Sequence, residues 1–208
     1  MKETEDTKLR RLAERIRNSD RHAFDDLFRA MYPRLVRFAF KITQDWNSSC
    51  DITQDVFVML WQQRDTIDPD RSVRAWLFRS VRNRAYNYQR DRREIADPEA
   101  VASLAGDSGT PAGSHHHAGP DGTWSDNILT SDNGHETQLQ KKIFEWIQEL
   151  PDRQREAFEL SRYEGLFHHE IAGIMQVSVK TVNNHLTAAL KHLRSCYESY
   201  RNASENRI

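Results

Sequence analysis

The stretch LFHHEIAGIMQVSVKTVNNHLTAALKHL, residues 166–193, contains two amphipathic helical patterns with a very short connection between them. From Val179 onward, apolar residues recur at intervals of three and four, which is typical of a helix that packs one face against a core. Ser178 can cap this helix, because its hydroxyl accepts a hydrogen bond from an N–H group of the first turn. The shorter pattern runs from Ile171 to Met175. Two helices joined so closely must cross steeply, so the stretch predicts a helix-turn-helix.

The other face of the second helix carries polar side chains that suit DNA. Amides can pair bidentately with base edges in the major groove, and lysine and threonine suit phosphate oxygens. An ordinary solvated helix face would show the same pattern, so spacing alone leaves DNA binding and plain solubility equally open. The residues of this face are Lys180, Thr181, Asn183, Asn184, His185, Thr187 and Lys191.

The composition is that of a globular protein. The chain has 208 residues, of which 38% are hydrophobic and 29% charged, enough for one large domain or two small ones. We find no apolar stretch long enough to span a membrane and no signal-peptide core, so we expect a cytoplasmic protein without direct membrane insertion. Cys50 and Cys196 show neither metal-ligand spacing nor a disulfide framework, so reduced thiols are expected.

The net charge of −1 conceals a division of the chain into three segments. Residues 1–94 carry 20 basic and 15 acidic side chains. Residues 139–208 carry ten basic and nine acidic side chains. Residues 95–138 contain seven acids, no Lys or Arg, and six of the eight glycines. Such a segment cannot bury enough apolar surface to offset its ordering entropy. The sequence therefore predicts two helical domains, residues 1–94 and 139–208, joined by a flexible acidic linker at residues 95–138.

The first domain is predicted to contain four helices. Ser19 or Asp20 can cap the second, and Pro33 is expected to kink it because proline removes one backbone hydrogen bond. The third helix is expected at about residues 49–64 and the fourth at about residues 72–93. No alternating strand pattern occurs, so the predicted fold class is all-α.

The fourth helix ends in an arginine-rich run, RSVRNRAYNYQRDRR, at residues 79–93. Guanidinium groups bind phosphates, while exposed rings and amides can stack on and hydrogen-bond to unpaired bases. This surface predicts nucleic-acid binding, and the competing interpretation is a basic, solvated helix. Trp76 shares the apolar face and is expected in the core, whereas Phe78 is less easily buried by that face.

Four segments, in this order, resemble bacterial RNA polymerase sigma factors. The resemblance is closest to the small extracytoplasmic-function (ECF) group, which keeps only the second and fourth sigma domains joined by a linker. It covers nearly all of the chain outside the linker, and the four segments together are strongly specific. They are DITQDVFVMLW at 51–61, RAWLFRSVRNRAYNY at 74–88, LPDRQREAF at 150–158 and EIAGIMQVSVKTVNNHL at 170–186.

The resemblance implies an ECF-type sigma factor that binds core RNA polymerase, recognises minus-35 and minus-10 promoter elements and initiates promoter melting. In the family, the segment that matches Asp51, Gln54 and Asp55 binds the beta-prime clamp of the polymerase, and the beta flap is a further expected contact. The part that matches residues 63–93 melts the minus-10 element and holds a flipped base. The residues assigned there are Arg79, Arg82 and Arg90 for phosphates, and Asn83, Tyr86 and Asn87 for bases.

The helix-turn-helix resembles the fourth sigma domain, which reads the minus-35 element as a duplex. Many members carry arginine where Asn183 stands and glycine where Gln176 stands. Because asparagine favours adenine edges over guanine, we expect a different upstream sequence preference here. The match places Asn183, Asn184 and Thr187 at base-reading positions, and Lys180 and Thr181 near the DNA backbone.

Two other classes of protein fit part of the sequence. The segment SVKTVNNHLTAALKHL also resembles the DNA-binding domain of LuxR-type activators, which act without polymerase-dependent melting. An RNA-binding module that uses only the arginine-rich helix would leave the second domain unexplained. The first 94 residues lack the strand–helix alternation of a receiver domain, which favours the sigma factor over the LuxR-type activator.

No nucleophile motif, phosphate-binding glycine loop or carboxylate pair is visible, so we expect neither an enzyme nor a cofactor. The sequence has a run from His115 to His117 and a pair, His168 and His169, beside Glu170. Consecutive histidines in a tether are usually compositional, and neighbours on a helix point in different directions, so no metal site is expected. ECF sigma factors often pair with an anti-sigma factor, so the expected partners are core RNA polymerase, promoter DNA and such a protein.

Overall fold

The computed structural model describes residues 5–68, 71–96 and 138–205. These ranges contain eight α-helices, one short 3-10 turn and no β-strand, which confirms the predicted all-α fold class. None of the helices in these ranges is long and apolar enough to cross a membrane. The helices are α1 (Glu5–Arg17), α2 (Arg21–Thr43), α3 (Trp46–Gln62), α4 (Val73–Ala96), α5 (Gln138–Gln148), α6 (Asp152–Arg162), α7 (His168–Met175) and α8 (Val179–Glu205).

The chain divides into two compact units, Met1–Gly119 and Pro120–Ile208. The first contains α1 to α4 and the second contains α5 to α8. The predicted acidic linker falls almost entirely outside the described residues, so its flexibility and its boundaries stay predictions. At its two ends, α4 continues through Ala96 and α5 already begins at Gln138.

In the first unit, α2 is the central helix and packs against α1, α3 and α4. Leu27, Met31 and Leu35 recur every fourth residue along it and are fully buried. The helix begins where the sequence predicts, because the side chain of Asp20 accepts a hydrogen bond from the backbone N–H of Ala23 at 3.1 Å.

Pro33 lies inside α2, yet the helix continues through it from Arg21 to Thr43. Proline has no N–H group and so removes one intrahelical hydrogen bond. The buried side chains of Met31 and Leu35 lie on either side of it in the sequence, while Pro33 itself is exposed. Packing of the flanking residues therefore maintains the helix despite the missing bond.

The third helix begins earlier than predicted, at Trp46 rather than Ser49. The true cap is Asp45, whose carboxylate accepts a hydrogen bond from the backbone N–H of Ser48 at 3.0 Å. Ser49 is buried inside the first turns, and its hydroxyl donates to the backbone carbonyl of Asp45 at 2.6 Å. A serine that satisfies its hydroxyl in this way is compatible with the helix interior, which explains why the predicted boundary was wrong.

The fourth helix begins at Val73, one residue after the predicted start, and extends three residues beyond the predicted end, to Ala96. Ser72 caps it, because its hydroxyl accepts a hydrogen bond from the N–H of Ala75 at 3.1 Å. The prediction that Phe78 is difficult to bury was wrong. Phe78 is fully buried and packs edge-on against Phe38 of α2, with ring centroids 5.1 Å apart. Trp76, expected in the core, is only half-buried.

In the second unit, α8 packs against α5, α6 and α7, and the predicted helix-turn-helix is confirmed as α7 and α8. α7 ends at Met175 and α8 begins at Val179. Gln176 makes the turn in the left-handed region, with φ of 57°. The hydroxyl of Ser178 accepts from the N–H of Thr181 at 3.0 Å, so the predicted cap is present.

Candidate nucleic-acid and polymerase interfaces

The polar side chains of α8 form one exposed face opposite the core. Val182, Leu186 and Ala189 are buried on one face of the helix, so the positions one and two residues away from them along the chain turn toward solvent. The members of this face, which we call the α8 face, are Lys180, Asn183, Asn184, Thr187 and Lys191, and all are exposed. The structure thus brings four of the five residues predicted for the minus-35 element together.

Thr181, the fifth, lies at the edge of the α8 face and is half-buried. Its hydroxyl lies 2.8 Å from the hydroxyl of Ser178, and its backbone N–H donates to the same oxygen. The side chain therefore helps to build the helix cap. His185 is also half-buried beside this edge.

The predicted minus-10 residues of α4 also share a face, with one exception. Arg79, Asn83, Tyr86, Asn87 and Arg90 recur at helical spacing, opposite the buried positions Leu77, Val81 and Ala85. We call this set the α4 face. Arg79, Asn87 and Arg90 are exposed, while Asn83 and Tyr86 are half-buried. The surface combines guanidinium groups, amides and one aromatic ring.

Arg82, which the resemblance assigns to a phosphate contact, is the exception because it is buried. The side chain has only 5% of its surface exposed, because it lies next to the buried stripe of α4. Its guanidinium carbon lies 4.6 Å from the ring centroid of Tyr86, in a cation–π arrangement. Arg82 therefore supports the Tyr86 ring from beneath the α4 face.

The charges at the end of α4 are paired only at the surface. Arg90 lies 3.2 Å from Asp91 and 3.7 Å from Glu94, and the Arg90 side chain is 64% exposed. Such exposed pairs contribute little, so a phosphate oxygen can replace the carboxylates at small cost. Arg84 instead bridges to Asp55 of α3 at 3.6 Å.

A cavity of about 210 Å³ opens at the beginning of α4. Trp76 contributes to its wall, which explains why this ring is only half-buried. Sequence reasoning placed Trp76 in the core and missed this role, because periodicity does not show which part of a large ring stays accessible. The other lining residues are Leu60, Gln63, Thr66, Ile67, Asp68, Arg71, Ser72 and Val73.

The three residues predicted to bind the polymerase lie together on α3. Asp51, Gln54 and Asp55 are exposed and face away from the buried side of the helix. Val58 follows on the same face and is 54% exposed, an apolar side chain among the acidic and amide groups. Sequence reasoning missed Val58, because the surrounding segment is apolar and the exposed valine resembles a core position. We call these four residues the α3 face.

Two family models and several known proteins match the sequence of this chain. The family model for Sigma-70 region 2 matches residues 27–95, and the model for Sigma-70, region 4 matches residues 140–193. The two segments together span more than half of the chain. The ECF RNA polymerase sigma factor SigK of Mycobacterium sp. (strain KMS) is 25% identical over 192 residues, covering 92% of this chain and 89% of SigK. The RNA polymerase sigma-H factor of Pseudomonas aeruginosa is 26% identical over 183 residues, covering 86% of this chain and 88% of the sigma-H factor.

Solved structures show the same fold. CnrH, in complex with the cytosolic domain of CnrY, gives a TM-score of 0.56 at 23% identity, over 92% of this chain and 98% of CnrH. The sigma factor RpoE from Bartonella quintana, in complex with the anti-sigma factor NepR, gives a TM-score of 0.55 at 22% identity. The match covers 84% of this chain and 96% of RpoE. At this level of identity the likeness concerns the fold alone.

The chain is therefore a DNA-binding protein of transcription initiation. It belongs to the sigma-70 family of RNA polymerase sigma factors, in the ECF group. Sigma factors are non-catalytic subunits, in agreement with the expectation that the protein is not an enzyme. The LuxR-type alternative is not favoured, because the first unit matches sigma region 2.

Proposed function

We propose that this protein binds core RNA polymerase, recognises a minus-35 element with α8 and a minus-10 element with α4, and initiates promoter melting. The observation that carries the proposal is the chemical difference between the α8 face and the α4 face. The α8 face offers lysines, amides and a threonine. The α4 face combines arginines with an aromatic ring and has a cavity beside it.

For the minus-35 element, α8 is the recognition helix of a helix-turn-helix, whose first residues contact base edges in the major groove. Asn183 and Asn184 are exposed near its beginning and can each pair with an adenine edge. Lys180 precedes them and suits a phosphate oxygen. Thr181 contributes mainly by holding the cap that orients this first turn.

For the minus-10 element, the α4 face and the cavity beside Trp76 suit an unpaired strand. Arg79 and Arg90 can hold phosphates, while Asn83, Asn87 and the Tyr86 ring meet the bases. Extruding a base costs on the order of a few kcal/mol, and stacking contributes roughly 1 to 3 kcal/mol per base. The cavity has an apolar wall with polar groups around it, which is the chemistry that a flipped base requires.

For the polymerase, the α3 face offers a clamp-binding surface in which Asp51, Gln54 and Asp55 surround the exposed Val58. The acids would steer the surface toward a basic partner, and the apolar side chain would be buried on binding. We place the beta-prime clamp here, and we also expect the beta flap to bind the chain.

An anti-sigma factor is a further proposed partner. RpoE, whose fold this chain shares, was solved with the anti-sigma factor NepR. In this chain α8 exposes apolar side chains outside its core contacts, including Leu190 at 57% and Tyr197 at 44%. Binding of a helical protein segment over such positions would compete with access to the α8 face.

The deciding experiment combines the full chain with core RNA polymerase and a pool of promoter-like DNA with random upstream positions, followed by sequencing of transcript 5′ ends. We expect start sites downstream of two shared elements, and none with core polymerase alone. A footprint at a specific site without polymerase, together with no new start sites, would contradict the proposal and favour a LuxR-type activator.

A further inference from the structure

A carboxylate, an imidazole and a thiol converge where the end of α5 meets α8. Glu149 follows α5 directly, and His192 and Cys196 lie one turn apart on α8. Nε2 of His192 lies 3.6 Å from a carboxylate oxygen of Glu149 and 3.5 Å from Sγ of Cys196. The three ligand atoms all lie within 4.8 Å of one another.

Two of these separations match the spacing of neighbouring ligands around a zinc-like ion. Zinc binds sulfur at about 2.3 Å, imidazole nitrogen at about 2.0 to 2.1 Å and carboxylate oxygen at about 2.0 to 2.2 Å. With tetrahedral angles, two such ligands are about 3.4 to 3.6 Å apart. The two separations from His192 Nε2 agree with this range without any movement of the backbone.

A hydrogen bond explains only part of this arrangement. An imidazole nitrogen carries either one N–H group or one lone pair. Nε2 of His192 can therefore form a good hydrogen bond with the sulfur or with the carboxylate, but not with both. A cation placed between them would contact all three atoms at once. Sequence spacing could not show the cluster, because Glu149 is distant from the other two residues in the chain.

The surroundings leave room for a hydrated ion. A cavity of about 470 Å³ lies at this position, with His192 and Cys196 in its wall. Trp146 and Tyr200, whose rings meet edge-on at 6.0 Å, add an aromatic wall. Lys142 also lies in this wall and pairs with Glu145 at 2.6 Å.

We propose that Glu149, His192 and Cys196 bind a divalent transition metal ion of the zinc class, with water as the fourth ligand. A thiolate and an imidazole together select borderline-soft ions over magnesium or calcium. The negative charges of the carboxylate and the thiolate balance the two positive charges of the ion. The metal would join the end of α5 to the second half of α8 and stabilise the second unit. The inference does not depend on the proposed promoter contacts.

The test titrates Co²⁺ into the reduced full chain and follows the near-ultraviolet absorption that only thiolate-to-cobalt coordination produces. His115, His116 and His117 are first replaced by asparagine, so that this run cannot compete for metal. We expect a band that saturates at one equivalent, disappears on addition of Zn²⁺ and is lost in Cys196→Ser. Cys50→Ser, the matched control, should retain it. Glu149→Gln and His192→Ala should each weaken cobalt binding at least about tenfold.

Thermal unfolding gives an independent measurement. Zn²⁺ should raise the unfolding temperature of the second unit in the parent protein and in Cys50→Ser, and leave that of Cys196→Ser unchanged. Circular dichroism without metal shows whether Cys196→Ser is folded. A thiolate band that survives in Cys196→Ser, or the absence of any band in the parent protein at stoichiometric cobalt, would overturn the proposal.

Discussion

Asn184 is an exposed amide on the α8 face, near the beginning of the recognition helix. If it pairs with a base edge, Asn184→Ala should weaken binding to the preferred upstream sequence by roughly 1 to 3 kcal/mol and leave other sequences almost unaffected. The measurement is open-complex affinity on promoters that differ at single upstream positions. Lys180→Ala provides the contrast, because loss of a phosphate contact should weaken every sequence alike. An equal loss on all upstream sequences for Asn184→Ala would contradict base reading.

Arg79 and Arg82 lie close together on α4 but should behave differently. Arg79 is exposed, so Arg79→Ala should reduce the salt slope of promoter binding by about one. Arg82 is buried against the Tyr86 ring, so Arg82→Ala should leave that slope unchanged and impair strand separation. Salt titrations of promoter binding, together with permanganate probing of unpaired thymines, distinguish the two effects. A reduced salt slope in Arg82→Ala would instead support the predicted direct phosphate contact.

The start of α3 depends on the Asp45 cap. The backbone N–H of Ser48 donates to this carboxylate and holds the pKa of Asp45 below its ordinary value of 3.8. Asp45→Ala should therefore lower the free energy of unfolding by about 1 kcal/mol at neutral pH, while Asp45→Asn should preserve most of the cap. Urea unfolding of the three proteins measures the difference.

The pH dependence of this cap follows from the direction of the pKa shift. A carboxylate whose pKa is lower in the folded state stabilises the protein fully above its ordinary pKa. The contribution declines as the pH falls through 3.8 and is lost below the lowered folded pKa. The stability difference between wild type and Asp45→Ala should therefore shrink in acid. A difference that stays constant below pH 3.8 would show that the charged cap is not its cause.

The α3 face provides a test of assembly with the polymerase. Val58 is 54% exposed, so its replacement should leave the fold intact while changing what the surface offers to a partner. Val58→Asp should weaken binding to core RNA polymerase at least about tenfold, since a carboxylate would have to be desolvated in place of an apolar side chain. Val58→Ile is the matched control and should bind normally. Pull-down or fluorescence titration with core enzyme measures the effect, and unchanged binding by Val58→Asp would remove α3 from the proposed clamp surface.

Features that depend on neighbours within one helical turn were predicted well. The Ser178 cap and the beginning of α8 at Val179 are local, as is the Asp20 cap of α2. The early start of α3 was missed although its signal is also local, because Asp45 precedes several polar residues that resemble a loop. The exposed α8 face was predictable for the same reason, since helical periodicity separates it from the buried stripe.

For the whole molecule, periodicity, caps and charge distribution were enough to predict an all-α chain, and the sigma-like segments were enough to indicate its family. Contacts between residues far apart in sequence were decided only by the tertiary structure. Packing against Phe38 buries Phe78, and the tertiary fold leaves Arg82 only 5% exposed although its sequence pattern suggested a surface arginine. The same holds for Glu149, which meets His192 and Cys196 only because α5 packs on α8. A local pattern specifies which side of a helix is apolar, but the neighbouring helices determine which side chains are covered and which are brought together.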